Sequence, residues 1–346
     1  MKKFMFIGAA ALAMFAATGF TAPVGYPAES MYLTTTSKVD AEYTTCKFNC
    51  NDFSGLELSG IVEGSVVKSD SYKVEITLPN VLQEYLQVYV NHGILKIGWN
   101  KNIPANLQKK LGNWTCKAEI AMPELRKLDM SGITSLKCDD TFDLGDEELS
   151  LDISGACKIK SLSVNARKLD AEISGVCTCK LSGNFPEKAE LDLSGTSKTS
   201  FQINADKLEV DISGATKTNI DGKFGKVELD ASGTSEVNLN GKVGTLEVDA
   251  SGVSKVKAMD AETENAILET SGTANCSVNV TRSIMIEDAT GVSSINYKAP
   301  KDLGVMIKSI GRSASVQRVN YFQPVEVAAK GLAGRRGKVS RLPFLP

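Results

Sequence analysis

Carboxylates recur along this chain at a fixed spacing. Asp129, Asp152, Glu172, Asp192, Asp211, Asp230, Asp249, Glu269 and Asp288 each stand three residues before a glycine. Asp170, Glu190, Glu209, Glu228 and Glu247 stand five before one. Oxygen-rich arrays of this kind suit a divalent cation such as Ca2+, or a positively charged ligand. The central members Asp152, Glu172, Asp192, Asp211, Asp230 and Asp249 therefore form a candidate ligand-binding strip. The alternative is a solvated face neutralised by lysine. Two lysine sets recur at matching spacing, Lys168, Lys188, Lys207 and Lys226 in one, Lys158, Lys198, Lys217 and Lys255 in the other. That solvated face is the preferred reading, because runs of charge usually serve as solvated surface.

The cysteines are the second set with chemistry to offer. Cys157 and Cys177 occupy the same place in successive repeats, which makes them a candidate disulfide pair; buried free thiols are an equal alternative. Cys46 and Cys50 lie close in sequence, Cys138, Cys179 and Cys276 fall in other inward columns, and no CxxC is present. The chain has one histidine, His92, so a histidine metal cluster and a histidine-based triad are both excluded. No catalytic residue, metal site or cofactor is expected. Trp99 and Trp114 are sugar-platform candidates, although two tryptophans in one small region more often pack together.

The elements that must position these residues are legible as a repeat. Gly132, Gly155, Gly175, Gly195, Gly214, Gly233, Gly252, Gly272 and Gly291 follow one another at steps of 23, 20, 20, 19, 19, 19, 20 and 19 residues. The text around them repeats as well: LDISGACKIK, AEISGVCTCK, LDLSGTSKTS, VDISGATKTN, LDASGTSEVN and VDASGVSKVK. At even offsets from the glycine the residues are apolar or small, as in Leu191, Leu193, Ser197, Thr199 and Phe201. Between them stand Asp, Glu, Lys, Asn and Ser. Alternation with period two means strands with one buried face. A unit of 19–20 residues cannot close a core alone, but stacked units can. The expectation is an all-β, parallel and right-handed β-solenoid of about nine coils. Adjacent strands would lie ~4.8 Å apart, with the glycine at a corner.

Residues 46–125 read as an N-terminal β cap. LELSGIVEGSVVKS, YKVEITLP and LQVYVNHGILKIGW alternate over longer runs, Asn91-His92-Gly93 reads as a hairpin turn, and Asn102 to Gly112 as a loop or short helix. Lys2 and Lys3 followed by the apolar run Phe4 to Phe15 and small residues form a secretory signal, placed at 1–22. A flexible leader is expected over 23–45, solenoid repeats over 126–319 and a basic tail over 320–346. From Ile310 onward stand seven cations, Arg312, Arg318, Lys330, Arg335, Arg336, Lys338 and Arg341, against the single acid Glu326. Overall, 39 Lys and Arg against 41 Asp and Glu give a net charge of -2, with no electrostatic case for nucleic acid. No stretch after the signal is long and apolar enough for a transmembrane helix.

The combination of a signal peptide, FSGLELSGIVEGSVVKS, YKVEITLP, VNHGILKIGW and serial LDxSG repeats ending near YKAPKDLGVMIKSIGRSASVQRV resembles the head GIN domain family of auto-transporter adhesins, common in Bacteroidetes. The resemblance runs over roughly residues 46–319. It implies a secreted or cell-envelope β-solenoid with an adhesin-like role and offers no catalytic motif. The expected function is thus a non-catalytic binding protein, exported to the periplasm, cell surface or beyond, with a glycan or a cell-surface or matrix ligand as partner. A carbohydrate-active β-helix enzyme and a self-assembling envelope scaffold are the competing readings. Regular repeats without long inserted loops leave an enzyme no evident pocket.

Overall fold

The structure, a computed structural model, describes residues 42–100 and 102–319. The expected signal peptide, most of the expected leader and the basic tail lie outside the described residues.

The chain enters through β1 (Tyr43–Phe48), β2 (Gly55–Leu58), β3 (Ile61–Lys68), β4 (Lys73–Pro79), β5 (Leu86–Asn91), β6 (Ile94–Trp99), helix α1 (Ala105–Leu111) and β7 (Lys117–Met122). β1 lies antiparallel on β4, β4 antiparallel on β7, and β5 antiparallel on β6. β6 and β7 then run parallel to β2 and β3. His92 (φ 49) and Gly93 (φ 73) make the two-residue hairpin turn between β5 and β6; both φ values are positive, as the turn that matches strand twist requires. Antiparallel pairing therefore joins β1, β4 and β7, and β5 and β6, in this N-terminal region. β2 and β3, however, belong to the solenoid itself. The text LELSGIV places Gly60 (φ 85) at a turn of the same kind as the later ones, and Gly132 stacks directly on it. The chain builds the first coil, turns outward to build the end, and returns to lay the second coil on the first.

The coils follow as β8 (Lys127–Met130), β9 (Ile133–Asp143), β10 (Glu148–Ile153), β11 (Lys158–Asn165), β12 (Lys168–Ile173), β13 (Thr178–Leu193), β14 (Lys198–Ile212), β15 (Lys217–Ala231), β16 (Glu236–Ala250), β17 (Lys255–Thr270), β18 (Asn275–Ala289), β19 (Ser294–Lys298), β20 (Val305–Ile307) and β21 (Ser315–Arg318). All of these pair in parallel with the same part of the next coil. One ladder runs through the residues before each turn glycine, from β2 through β8, β10 and β12 into the second halves of the long strands. The other runs through the residues after it, from β3 through β9 and β11 into their first halves. Parallel β-solenoid architecture is thus the fold.

Register explains the repeat. Asp192 pairs with Asp211, Asp211 with Asp230 and Asp230 with Asp249, so each sequence column becomes a spatial column. Inward columns bury Leu191, Val210, Leu229 and Val248, with Phe142, Phe185 and Phe201 filling the wider parts of the core. Thr199 and Thr218, fully buried in one inward column, satisfy each other through a 3.0 Å hydroxyl hydrogen bond. The turn glycine is a steric necessity. Gly175 has φ 81, and a Cβ there would lie 2.4 Å from the Gly155 carbonyl oxygen one coil below. Positive φ and a close backbone approach both exclude a side chain. At the N-terminal end Trp99 covers the glycine column, its ring so close that a Cβ on Gly60 would meet Cδ1 at 2.2 Å.

Candidate functional site

The outward face of the ladder before the turns carries four columns, spaced two residues apart along each strand. In order they are lysine, glutamate, aspartate and serine, as in Lys207, Glu209, Asp211 and Ser213. The first two columns neutralise each other. Lys188 reaches Glu190 of its own coil at 2.7 Å and Glu209 of the next at 2.5 Å. Lys207 likewise reaches Glu209 (2.5 Å) and Glu228 (3.0 Å), and Lys226 reaches Glu228 (2.7 Å) and Glu247 (2.9 Å). The result is a continuous zigzag of ion pairs. The lysines, with their hydrogen bonds, hold the Glu209 and Glu228 carboxyls below the usual carboxylate range. For this column the solvated, neutralised reading of the sequence is the observed arrangement.

The aspartate column behaves differently. Among the described residues no lysine or arginine comes within 4.0 Å of Asp152, Glu172, Asp192, Asp211, Asp230 or Asp249. The lysine column is spent on the glutamates that stand between it and the aspartates, and on the far side stands serine. Partial burial first, and then the carboxyl of the next coil, push Asp192 and Asp211 above the ordinary aspartate value. These six carboxylates share one wall of an open groove of about 590 Å³. Ser174, Ser194, Ser213, Ser232 and Ser251 form its other wall, and inward-column residues such as Leu193 and Ile212 lie between them. All six sequence-predicted strip residues are therefore brought together. The serine wall escaped the functional reading, although the Ser-Gly pairs that mark the repeat were its signal. Among the described residues no group of three or more His, Cys, Asp or Glu is arranged to hold a metal ion. The groove instead offers a line of separate carboxylates with hydroxyls opposite.

The predicted cysteine pair also comes together. Cys157 and Cys177 sit on adjacent coils just after their turns, both buried and both free thiols. Each donates to the carbonyl three residues back, Cys157 Sγ to Ser154 O at 2.8 Å and Cys177 Sγ to Ser174 O at 2.9 Å. The hydrogen bond with Cys157, and then burial, push the Cys177 thiol up. Burial alone pushes Cys179 and Cys276 up to about 12, which suits small core residues rather than nucleophiles. Trp99 and Trp114 meet edge to face with centroids 5.5 Å apart and pack against the core, so they act as packing residues of the cap. No helix among the described residues is long and apolar enough to cross a membrane.

A family model described as "Putative auto-transporter adhesin, head GIN domain" matches residues 52–200 and 184–300 of this chain. Similar solved structures include a "putative adhesin" from Parabacteroides merdae ATCC 43184, at 19% identity over 81% of this chain and 98% of that one, with TM-score 0.41. A "putative lipid binding protein" from Parabacteroides distasonis ATCC 8503 matches at 19% identity over 81% and 98%, with TM-score 0.41. A "putative adhesin" from the same organism matches at 16% identity over 81% and 98%, with TM-score 0.43. No curated protein matches.

Proposed function

The chain belongs to the head GIN domain family, and on that premise we propose that it is a non-catalytic, adhesin-like binding protein that holds its ligand along the aspartate groove. The observation that carries this reading is the contrast between two carboxylate columns on one face. The glutamates are neutralised by lysine, whereas Asp152, Glu172, Asp192, Asp211, Asp230 and Asp249 have no cation within 4.0 Å among the described residues. Holding like charges in adjacent coils costs stability, on the order of 1 kcal/mol per neighbour in water before screening. A ligand carrying amines at a matching repeat would relieve that cost. The ligand class is therefore a cationic polymer of a cell surface or matrix, an amine-bearing glycan or a basic peptide. Export rests on Lys2, Lys3 and the apolar run Phe4 to Phe15, and it would place the groove where such polymers are met.

The test is binding of the purified chain to an array of neutral, anionic and amine-bearing glycans and matrix peptides, at two salt concentrations. Selective, salt-sensitive retention of the amine-bearing members is expected. The triple variant Asp192→Asn, Asp211→Asn, Asp230→Asn should lose it. A triple variant that binds like the parent sinks the assignment of the groove.

A further inference from the structure

The ladder after the turns breaks its alternation in one coil. Leu136-Lys137-Cys138 and Cys179-Lys180-Leu181 each hold one outward lysine between two buried residues. β11 holds two outward residues, Lys160 and Ser161, between buried Ile159 and Leu162. Ile159 pairs with Cys179 and Leu162 with Leu181, so Lys160 and Ser161 both stand opposite Lys180. On the other side Ile159 pairs with Leu136 and Ser161 with Lys137, which leaves Lys160 as the inserted residue. Such a β-bulge re-aims side chains, and bulges collect beside functional sites.

The bulge leaves two lysines without a counterion. Asp139 is the carboxylate of this region, and it is already engaged by Lys137 and by the Ser161 hydroxyl, which donates to it at 3.1 Å. Those two partners hold its carboxyl below the ordinary range. Among the described residues no carboxylate comes within 4.0 Å of Lys160 or Lys180. Like charges side by side on adjacent strands are destabilising, and an oxyanion between them would relieve that cost through charge-assisted hydrogen bonds. In the next coil Ser200 lies beside Lys180, and Gln202 beside Ser182. The Ser200 hydroxyl and the Gln202 carboxamide make no hydrogen bond among the described residues. Lys160, Lys180, Ser200 and Gln202 line one open groove of about 430 Å³. It is separate from the aspartate groove and opposite to it in sign.

We propose that this groove binds a sulfate or phosphate ester of a saccharide, Lys160 and Lys180 holding the oxyanion and Ser200 and Gln202 the sugar hydroxyls. Titration calorimetry of the full chain with glucose 6-sulfate, glucose 6-phosphate, glucose and inorganic sulfate tests this and tells the two esters apart. At least one ester should bind ~10-fold tighter than inorganic sulfate, the worth of about one good hydrogen bond, and more weakly as salt is added. Glucose should give no heat. The double variant Lys160→Ser, Lys180→Ser should lose at least ~10-fold in affinity for that ester. Gln202→Ala should weaken the ester and leave inorganic sulfate alone. The charge-matched control Lys223→Ser, Lys255→Ser removes two exposed lysines of later coils and should change nothing, as should the triple aspartate variant of the other groove. Absence of binding by both esters overturns the proposal. So does an ester that binds no tighter than inorganic sulfate, which would mean an adventitious ion only, or an equal loss in the control, which would mean unspecific charge. Retention on phosphatidylglycerol vesicles that the esters fail to compete overturns it in favour of a lipid headgroup.

Discussion

Asp192 lies beside Asp211 in exact register on the next coil, and among the described residues no lysine or arginine comes within 4.0 Å of either. Asp211 in turn lies beside Asp230. Burial first, and then the Asp230 carboxyl, raise the folded-state value of Asp211 above its ordinary 3.8. A carboxyl whose folded value is raised binds its proton more tightly in the native state, so the column destabilises the fold most at neutral pH. That penalty fades as the pH falls through the raised value and then through 3.8. Asp211→Asn should accordingly raise the melting temperature at pH 7 and make no difference at pH 3.5. Two screened neighbours at ~5 Å set the gain at about 1 kcal/mol. An unchanged or lower Tm at pH 7 contradicts the account.

The glutamate column carries the opposite sign. Lys188 and Lys207 lower the Glu209 value from 4.5, so its contribution is present at neutral pH and disappears as the pH drops through the lowered value. Glu209→Gln should lose up to about 1 kcal/mol at pH 7, since exposed pairs are worth little individually. The loss should shrink in acid and in high salt. Urea titrations at pH 7 and pH 3, with and without added salt, measure it.

These two columns also show where the sequence stops being readable. The Ser-Gly step and the period-two alternation reveal strands, register and coil, because each column is set by local spacing alone. Gly60 is hidden as a turn because the cap separates it from Gly132, so the regular step fails where stacking does not. Nor does the sequence tell Glu209 from Asp211: both recur, both face outward, and lysines recur near both. Only the placement of Lys188 and Lys207 across neighbouring coils shows that the glutamates consume the lysines and the aspartates stay bare. The inward place of Cys157 and Cys177 is readable, but whether they remain thiols depends on chemistry outside the chain.

The turn glycines make a steric prediction. Gly175→Ala forces an L side chain to φ 81 and sets its Cβ 2.4 Å from the Gly155 carbonyl oxygen. The left-handed conformation and the overpacking together should cost about 2–4 kcal/mol. Gly145, with positive φ but no atom within 4 Å of a built Cβ, is the control. Gly145→Ala should cost only the conformational part, about 1–2 kcal/mol. Equal losses in urea unfolding would remove the close approach as a cause.

The small inward column beside the turn contains hydroxyls without partners. Ser235 is buried and its Oγ makes no hydrogen bond. A buried unpaired hydroxyl costs stability, so Ser235→Ala should raise it by about 1 kcal/mol. Ser235→Leu should lower it by about 1–3 kcal/mol, because Thr216 and Ser254 above and below leave no room for a larger side chain. Thermal unfolding of the two variants separates the effects; a destabilised alanine variant would mean that the hydroxyl is satisfied in solution.

Cys157 and Cys177 allow a covalent check of register. Residues in the same column of adjacent parallel strands lie ~4.8 Å apart, inside the range of Cα separations that a disulfide spans. Their thiols are free in the structure and buried, so oxidation should be slow in the folded chain and efficient during refolding. Refolding with oxidised glutathione should join the two sulfurs by successive exchange, each thiol giving up its proton and two molecules of reduced glutathione leaving. The bridge closes a loop of one coil and should stabilise the fold by about 3 kcal/mol. Peptide mapping is expected to find Cys157 linked to Cys177, with Cys179 and Cys276 still reduced, since their column neighbours are Ile159 and Thr199, and Val256 and Ile295. A bridge between Cys157 and Cys179 instead would mean that the refolded coils had slipped out of the register described above.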